Sequence, residues 1–261
     1  MIGVLITARM GSSRLPKKHL IEANHKSLLY WLIKRFEFEF EKEIQSQKIC
    51  LIITTSEKPD NKNFSIATEG TSCQIFQGSD NNIPLRHLQC AKHFNLSHVI
   101  SVDGDDILCS TQAAREVYGQ MMQHSEHTSF SITGLPIGMN LGGYTVAYLE
   151  ESINNQSNKK LETGWGRIFK NPVTWSKSLG EYDIMGDLRF TLDYEEDATF
   201  FCQVINFLKE KIISISDKEL ITFVEKNNLY KINSSLKEIY WNNYNSEKEN
   251  EMSKDNKSSN D

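Results

Sequence analysis

Apolar positions along the chain fall into two periods, and their alternation predicts the architecture. Ile2, Val4, Leu5 and Ile6 form a mostly β-branched run without polar alternation, as expected of a strand buried on both faces of a parallel sheet. Residues 49–55 repeat that pattern, and shorter apolar runs at 73–76, 98–101, 128–133 and 190–192 predict further strands. Between them, Leu28, Leu29, Trp31, Leu32 and Phe36 recur at helical spacing within 27–40. Weaker helical patterns cover 63–69, 84–94 and 111–123, and two stronger ones cover 198–209 and 216–227, the last opened by a Ser-x-x-Glu capping box. Strand and helix alternating from the start predicts a doubly wound α/β fold, with its ligand crevice at the carboxyl ends of the strands. From about Asn242 the chain is almost devoid of apolar residues. The expectation is an α/β domain over 1–241 and a disordered polar tail over 242–261.

Composition narrows the class. A length of 261 residues suits one large α/β domain. The net charge of −5 and pI near 5.9 argue against a nucleic-acid binder. The cysteines, Cys50, Cys73, Cys90, Cys109 and Cys202, form no C-x-x-C pair and are odd in number, which predicts reduced thiols rather than a disulfide framework. No signal-peptide pattern opens the sequence and no apolar run reaches membrane-spanning length. The expected location is the cytoplasm, with no membrane partner.

Candidate chemistry clusters where strands end. Directly after the first strand come Arg9, Gly11, Ser12, Ser13, Arg14, Lys17 and Lys18, with Pro16 stiffening the turn. Glycine lets backbone N–H groups face an anion, arginine offers forked donors and lysine a compact charge, so the loop suits a polyphosphate. Neither P-loop nor dinucleotide spacing is present; a solvated basic loop is the bland alternative. The strand at 98–101 runs into Asp103, Gly104, Asp105 and Asp106, where clustered carboxylates call for a compensating cation. A polar turn and a calcium loop are the alternatives, the latter disfavoured because the later EF-hand positions, including the glutamate, are missing. A third acidic group follows Phe190, Thr191 and Leu192, beginning at Asp193 and continuing through Glu195, Glu196 and Asp197, which suit a helix N-terminus.

The segment A-R-M-G-S-S-R-L-P-x-K resembles the signature loop of the cytidylyltransferases that make CMP-activated sugars, most of all the spore-coat-polysaccharide type. The CMP-ketodeoxyoctulosonate and CMP-sialate synthetases are similar at greater distance. The resemblance implies a three-layer, Rossmann-like nucleotide-diphospho-sugar transferase fold with a mostly parallel central sheet. It further implies a CTP-dependent enzyme that transfers CMP to a sugar, by analogy an acidic keto-sugar, and releases pyrophosphate. On that likeness Ala8, Arg9, Gly11, Ser12, Ser13, Arg14 and Lys18 contact the nucleotide. Arg86, in a G-S-x-x-x-x-L-x-R-like segment, is a further candidate set against a reading as an exposed helix arginine, and His87 reads as a surface histidine. The Gly104-Asp105 pair matches the family's G-D motif, and R-x-T-L-D-Y-x-x-D matches Arg189 to Asp197, so Asp105 and Asp193 would hold Mg²⁺. Arg14, Lys18, Asp105 and Asp193 form the implied catalytic set.

Three departures stand out: Lys17 where many members carry glycine, Ile107 where proline is common, and the neutral stretch 140–143 where acids are common. The acceptor pocket is expected near the glycine-punctuated loops at 134–138 and 142–144. Trp165 and Arg167, in a stretch like the family's E-x-x-x-x-x-I-x-x-N-P, are acceptor candidates set against core and surface roles. Related synthetases suggest a homodimer. The alternatives are another nucleotide-sugar enzyme of the same fold, with a different nucleotide or as a glycosyltransferase, and a non-catalytic nucleotide-binding protein.

Overall fold

The computed structural model describes residues 1–156, 160–180 and 187–258. In chain order its strands are β1 (Ile2–Thr7), the short β2 (Glu22–Ala23) and β3 (Lys26–Ser27), β4 (Ile49–Ser56), β5 (Gln74–Gly78), β6 (His98–Asp103), β7 (Ser129–Thr133), β8 (Leu141–Thr145) and β9 (Thr174–Ser178). The helices are α1 (Leu28–Glu39), α2 (Glu41–Gln45), α3 (Phe64–Thr68), α4 (Ile83–His93), α5 (Thr111–Gln123), α6 (Val146–Asn154), α7 (Glu195–Leu208), α8 (Asp217–Lys226) and α9 (Leu236–Ser258).

A seven-stranded sheet runs β5-β4-β1-β6-β8-β7-β9, so β1 lies inside it, parallel to β4 and β6. Only β8 opposes its neighbours within this sheet, antiparallel to both β6 and β7. The strand period of two sorts β1 between two cores: Val4 and Ile6 pack with α1, α5 and α7, while Leu5 packs with Ile52, Val99 and residues of α4 and α6. Helices on both faces thus explain why β1 and β4 read as unbroken apolar runs.

The structure departs from the sequence expectations in places with clear causes. Residues 141–145 form strand β8 rather than a loop. A Cβ on Gly142 would sit 2.6 Å from the Phe130 carbonyl oxygen, so the glycine permits close strand approach instead of marking a turn. The predicted strand at 190–192 is extended but unpaired in the sheet. Its neighbours are loops: Phe190 N–H donates to the Ile137 carbonyl at 2.7 Å and Leu192 N–H to the Asp105 carbonyl at 2.9 Å. The expected disordered tail instead continues α9 to Ser258. Tyr240, Trp241 and Tyr244 form a ring cluster at its start, and Asn243 donates to the Tyr194 hydroxyl at 2.8 Å. Residues 259–261 of the expected tail lie outside the described residues. No helix among the described residues is long and apolar enough to cross a membrane.

Candidate active site

The phosphate-type loop leaves β1 at its carboxyl end, beside the ends of β4 and β6. Lys17 takes the left-handed conformation, φ 55°, and its N–H closes on the Met10 carbonyl at 3.4 Å. This position therefore takes a glycine-type turn, with an exposed lysine that does not line the crevice. Asn61 holds the loop from below by accepting from the Met10 N–H at 3.0 Å. Gly104 brings the acidic loop against this one: its N–H donates to the Thr7 carbonyl at 2.8 Å, and a Cβ would come within 2.9 Å of the Ala8 methyl.

These loops enclose a crevice of about 500 Å³. Ala8, Arg9, Gly11, Ser12, Ser13, Arg14, Lys18, Arg86, Asp105 and Asp193 all line it. At its centre is Lys18, buried, with its Nζ 2.7 Å from Asp105 Oδ2 and 3.2 Å from Asp193 Oδ1, and donating to the Leu192 carbonyl at 2.7 Å. The ammonium thus has an acceptor for each of its protons. Burial works against its charge, but Asp105 and Asp193 outweigh it and raise its pKa. For Asp105, burial is likewise outweighed, here by Lys18 and then by His19, whose Nε2 lies 2.9 Å from Asp105 Oδ1. That carboxyl is held below the usual range.

Asp103 and Asp106 lie on the other side of this charge balance. Enclosure by the protein and the neighbouring Asp105 push Asp103 up to about 6, although its tip is open to the crevice. Burial and then Asp103 push Asp106 well above the carboxylate range. Among the described residues no three of these carboxylates converge; the group that does is His124, Glu126 and His127, at the end of α5. The donor set in the crevice is nevertheless all hard oxygen, with excess negative charge, and fits a divalent cation that takes one or two carboxylates and completes its shell from phosphates.

Arg9 and Arg14, the other loop cations that line the crevice, are paired within the protein. Arg9 meets Glu162. Arg14 donates to Asp193 Oδ1 at 3.2 Å and to Glu247 of α9 at 3.3 Å, and its guanidinium lies 5.5 Å from the Tyr194 ring centroid. Burial opposes its charge, while Asp193 and Glu247 raise its pKa.

Several residues correct or extend the sequence reading. Arg86 is buried rather than exposed, and donates to the Ser79 and Asp80 carbonyls at 2.8 and 2.9 Å. His87 is not a surface residue: it is fully buried between the Thr7 hydroxyl at 2.7 Å and the Tyr144 hydroxyl at 2.6 Å, with burial and then Arg86 lowering its pKa to about 3. It is a neutral strut behind the phosphate loop. Trp165 lines the crevice, whereas Arg167 is spent on the Thr163 carbonyl. His19, Glu162, Tyr240, Tyr244 and Glu247 also line or brace the crevice without having been singled out. Arg189 is another, buried and donating to Asp193 at 3.1 Å and Asp197 at 2.9 and 3.0 Å. Arg189 and Glu162 carried a signal, as the first residues of the R-x-T-L-D-Y-x-x-D and E-x-x-x-x-x-I-x-x-N-P stretches.

Comparison with known proteins places this geometry in a family. The model of the family described as Cytidylyltransferase matches residues 3–160. No curated protein matches the chain at a significant level. Among solved structures, a cytidylyltransferase from Leptospira borgpetersenii aligns over 88% of this chain and 95% of its own, with a TM-score of 0.76 at 20% identity. A CMP:2-keto-3-deoxy-manno-octonic acid synthetase solved with CTP aligns over 77% of this chain and 98% of its own, with a TM-score of 0.52 at 11% identity. A 4-diphosphocytidyl-2C-methyl-D-erythritol synthase from Anaerococcus prevotii aligns over 78% and 97%, with a TM-score of 0.55 at 13% identity. At such identities these structures establish the shared fold, the Rossmann-like α/β sheet of nucleotidyltransferases.

Proposed function

The chain belongs to the cytidylyltransferase family, and from that premise we propose that it transfers CMP from CTP to a sugar hydroxyl with release of pyrophosphate. The observation that carries this reading is the Lys18 ammonium bridging Asp105 and Asp193 where the basic loop meets the acidic one. Anion-binding and cation-binding groups then face one space, as a metal-nucleotide substrate requires.

In this reading the triphosphate displaces Glu162 from Arg9 and Glu247 from Arg14, and the Gly11 to Ser13 backbone and hydroxyls complete its cradle. Arg9, Arg14 and Lys18 offset the charge that grows on the departing pyrophosphate. Asp105 and Asp193 would hold Mg²⁺, which would supply charge neutralisation at the α-phosphate. The acceptor hydroxyl oxygen forms a bond to the α-phosphorus as the bond to the β-phosphate oxygen breaks. Asp103, with its carboxyl near 6, takes the hydroxyl proton, because a base is most effective when its pKa lies close to the working pH. Arg86 braces the 79–80 turn beside the nucleotide.

Titration calorimetry with CTP and Mg²⁺ tests the binding half of this reading. Wild-type protein should bind CTP in preference to ATP, GTP and UTP, and Arg14→Ala should weaken CTP by about tenfold or more, the loss of one charge-assisted phosphate contact. Equal affinity in the variant would remove the basic loop from the nucleotide site.

A further inference from the structure

A second cavity, of about 300 Å³, opens from the crevice and shares Asp103, Asp106 and Trp165 with it. Its floor is the sheet itself. Strand register aligns Ser101 of β6, Gly142 of β8, Ser131 of β7 and Ser176 of β9 in one cross-strand row. Neighbouring pairs on β7 and β9 repeat the chemistry, Ser129 with Thr174 and Thr133 with Ser178. The alternate residues Phe130 and Ile132 are buried on the opposite face. One face of these strands therefore belongs to the core and the other is a plane of hydroxyls. Gly142, lacking a side chain, keeps the row open beside Ser131.

Trp165 and Phe169 wall this floor. Trp165 is half-buried, with its ring 6.1 Å from that of Tyr144, and Phe169 lies 5.0 Å from the same ring. Among the described residues, Ser129 and Ser131 make no side-chain hydrogen bond to the protein, so their hydroxyls face the cavity unspent. The charge distribution is one-sided. Arg9, Arg14, Lys18 and Arg86 line the phosphate end, whereas no described residue lining the second cavity is lysine, arginine or histidine. The carboxyl groups there are Asp103 and Asp106.

We infer that the acceptor is an uncharged polyhydroxylated molecule, a neutral sugar or polyol, whose hydroxyls pair with the Ser101–Ser131 row and whose C–H face lies on Trp165. This rests on the cytidylyl-transfer reading and narrows its substrate class. A sugar acid would bring its carboxylate beside Asp103 with no lysine, arginine or histidine among the described residues that line this cavity, and an unpaired anion there is disfavoured. Serine hydroxyls, as both donors and acceptors, match the same groups on a neutral sugar. The acidic keto-sugar suggested by likeness to relatives does not suit this lining.

Saturation-transfer NMR on the full chain decides the point, with neutral hexoses and polyols in one panel and hexuronic and keto-acid sugars in the other, each with and without CTP. The expected result is transfer to at least one neutral member and to no acidic member. Ser131→Lys, which puts a long cationic side chain into the row, should abolish the neutral signal. Transfer to an acidic member, or to no neutral member, overturns the inference. A separate CTP titration distinguishes the two levels, because failure to bind CTP contradicts the cytidylyl-transfer reading whichever sugar binds.

Discussion

Lys18 keeps its charge in a buried position because Asp105 and Asp193 reach it from two different loops, and Asp105 is in turn held below the usual carboxylate range by that ammonium and then by His19. Asp103 has no such partner, and burial followed by Asp105 raises its carboxyl to about 6, a shift that solvent at its exposed tip screens in part. Between its ordinary value near 3.8 and about 6 the folded state keeps a proton that the unfolded state releases, so stability falls as pH rises through that window. In metal-free buffer, Asp103→Asn should therefore raise the melting temperature at about pH 8 and change it little at about pH 4. An equal shift at both pH values would contradict this charge assignment. Lys17 stores strain of another kind: a lysine at φ 55° costs about 1 kcal/mol relative to glycine. Lys17→Gly should raise unfolding free energy by about that amount in urea titrations, with CTP affinity unchanged.

At this scale the sequence was most legible where the site is local, since the loop from Arg9 to Lys18 presents its cations within one turn of chain. His19, Glu162 and Arg189 act through partners distant in sequence or through burial, and residue identity alone carries neither. Arg86 and His87 show the limit most plainly. Their types favour the surface, yet carbonyls at 79–80 and hydroxyls of Thr7 and Tyr144 satisfy them inside.

Among the elements, α7 is fixed at its N-terminus by Asp197, which accepts from the Asp193 and Tyr194 N–H groups at 2.9 and 3.1 Å while pairing with buried Arg189. Asp197→Ala would leave that guanidinium without its main partner, and chemical denaturation should show a loss of about 3–5 kcal/mol. A loss below about 1 kcal/mol would mean that Arg189 is satisfied elsewhere. Helix α9 reaches the crevice through Tyr240, Tyr244 and Glu247. If Arg14 contacts the triphosphate as proposed, its largely exposed pairing with Glu247 opposes that contact, and Glu247→Gln should tighten CTP binding, by at most about fivefold in calorimetry. Polar composition beyond Asn242 hid this helix, whose contacts with the crevice come from aromatic residues near its start. Strands β1, β4 and β6 were legible because burial on both faces leaves unbroken apolar runs. The glycines of β8 looked like a turn because close strand approach and chain reversal call for the same residue.

Over the whole molecule, the parallel strands β1, β4 and β6 set the phosphate loop and the acidic loop side by side, and Asp193 returns from a distant part of the chain to complete the charge balance. The antiparallel β8 then turns the hydroxyl face of β7 and β9 toward the same opening. The three-layer fold was readable from alternating strand and helix, but the joining of crevice and second cavity depends on register, which periodicity does not specify. The most direct test of the account is pyrophosphate release with Mg²⁺, each nucleoside triphosphate in turn and a panel of sugars, in wild-type protein and Asp105→Asn. The account predicts sugar-dependent release from CTP alone, reduced by about 100-fold or more in the variant while its circular dichroism stays native. Release that ignores the nucleotide, or that survives Asp105→Asn intact, would contradict it.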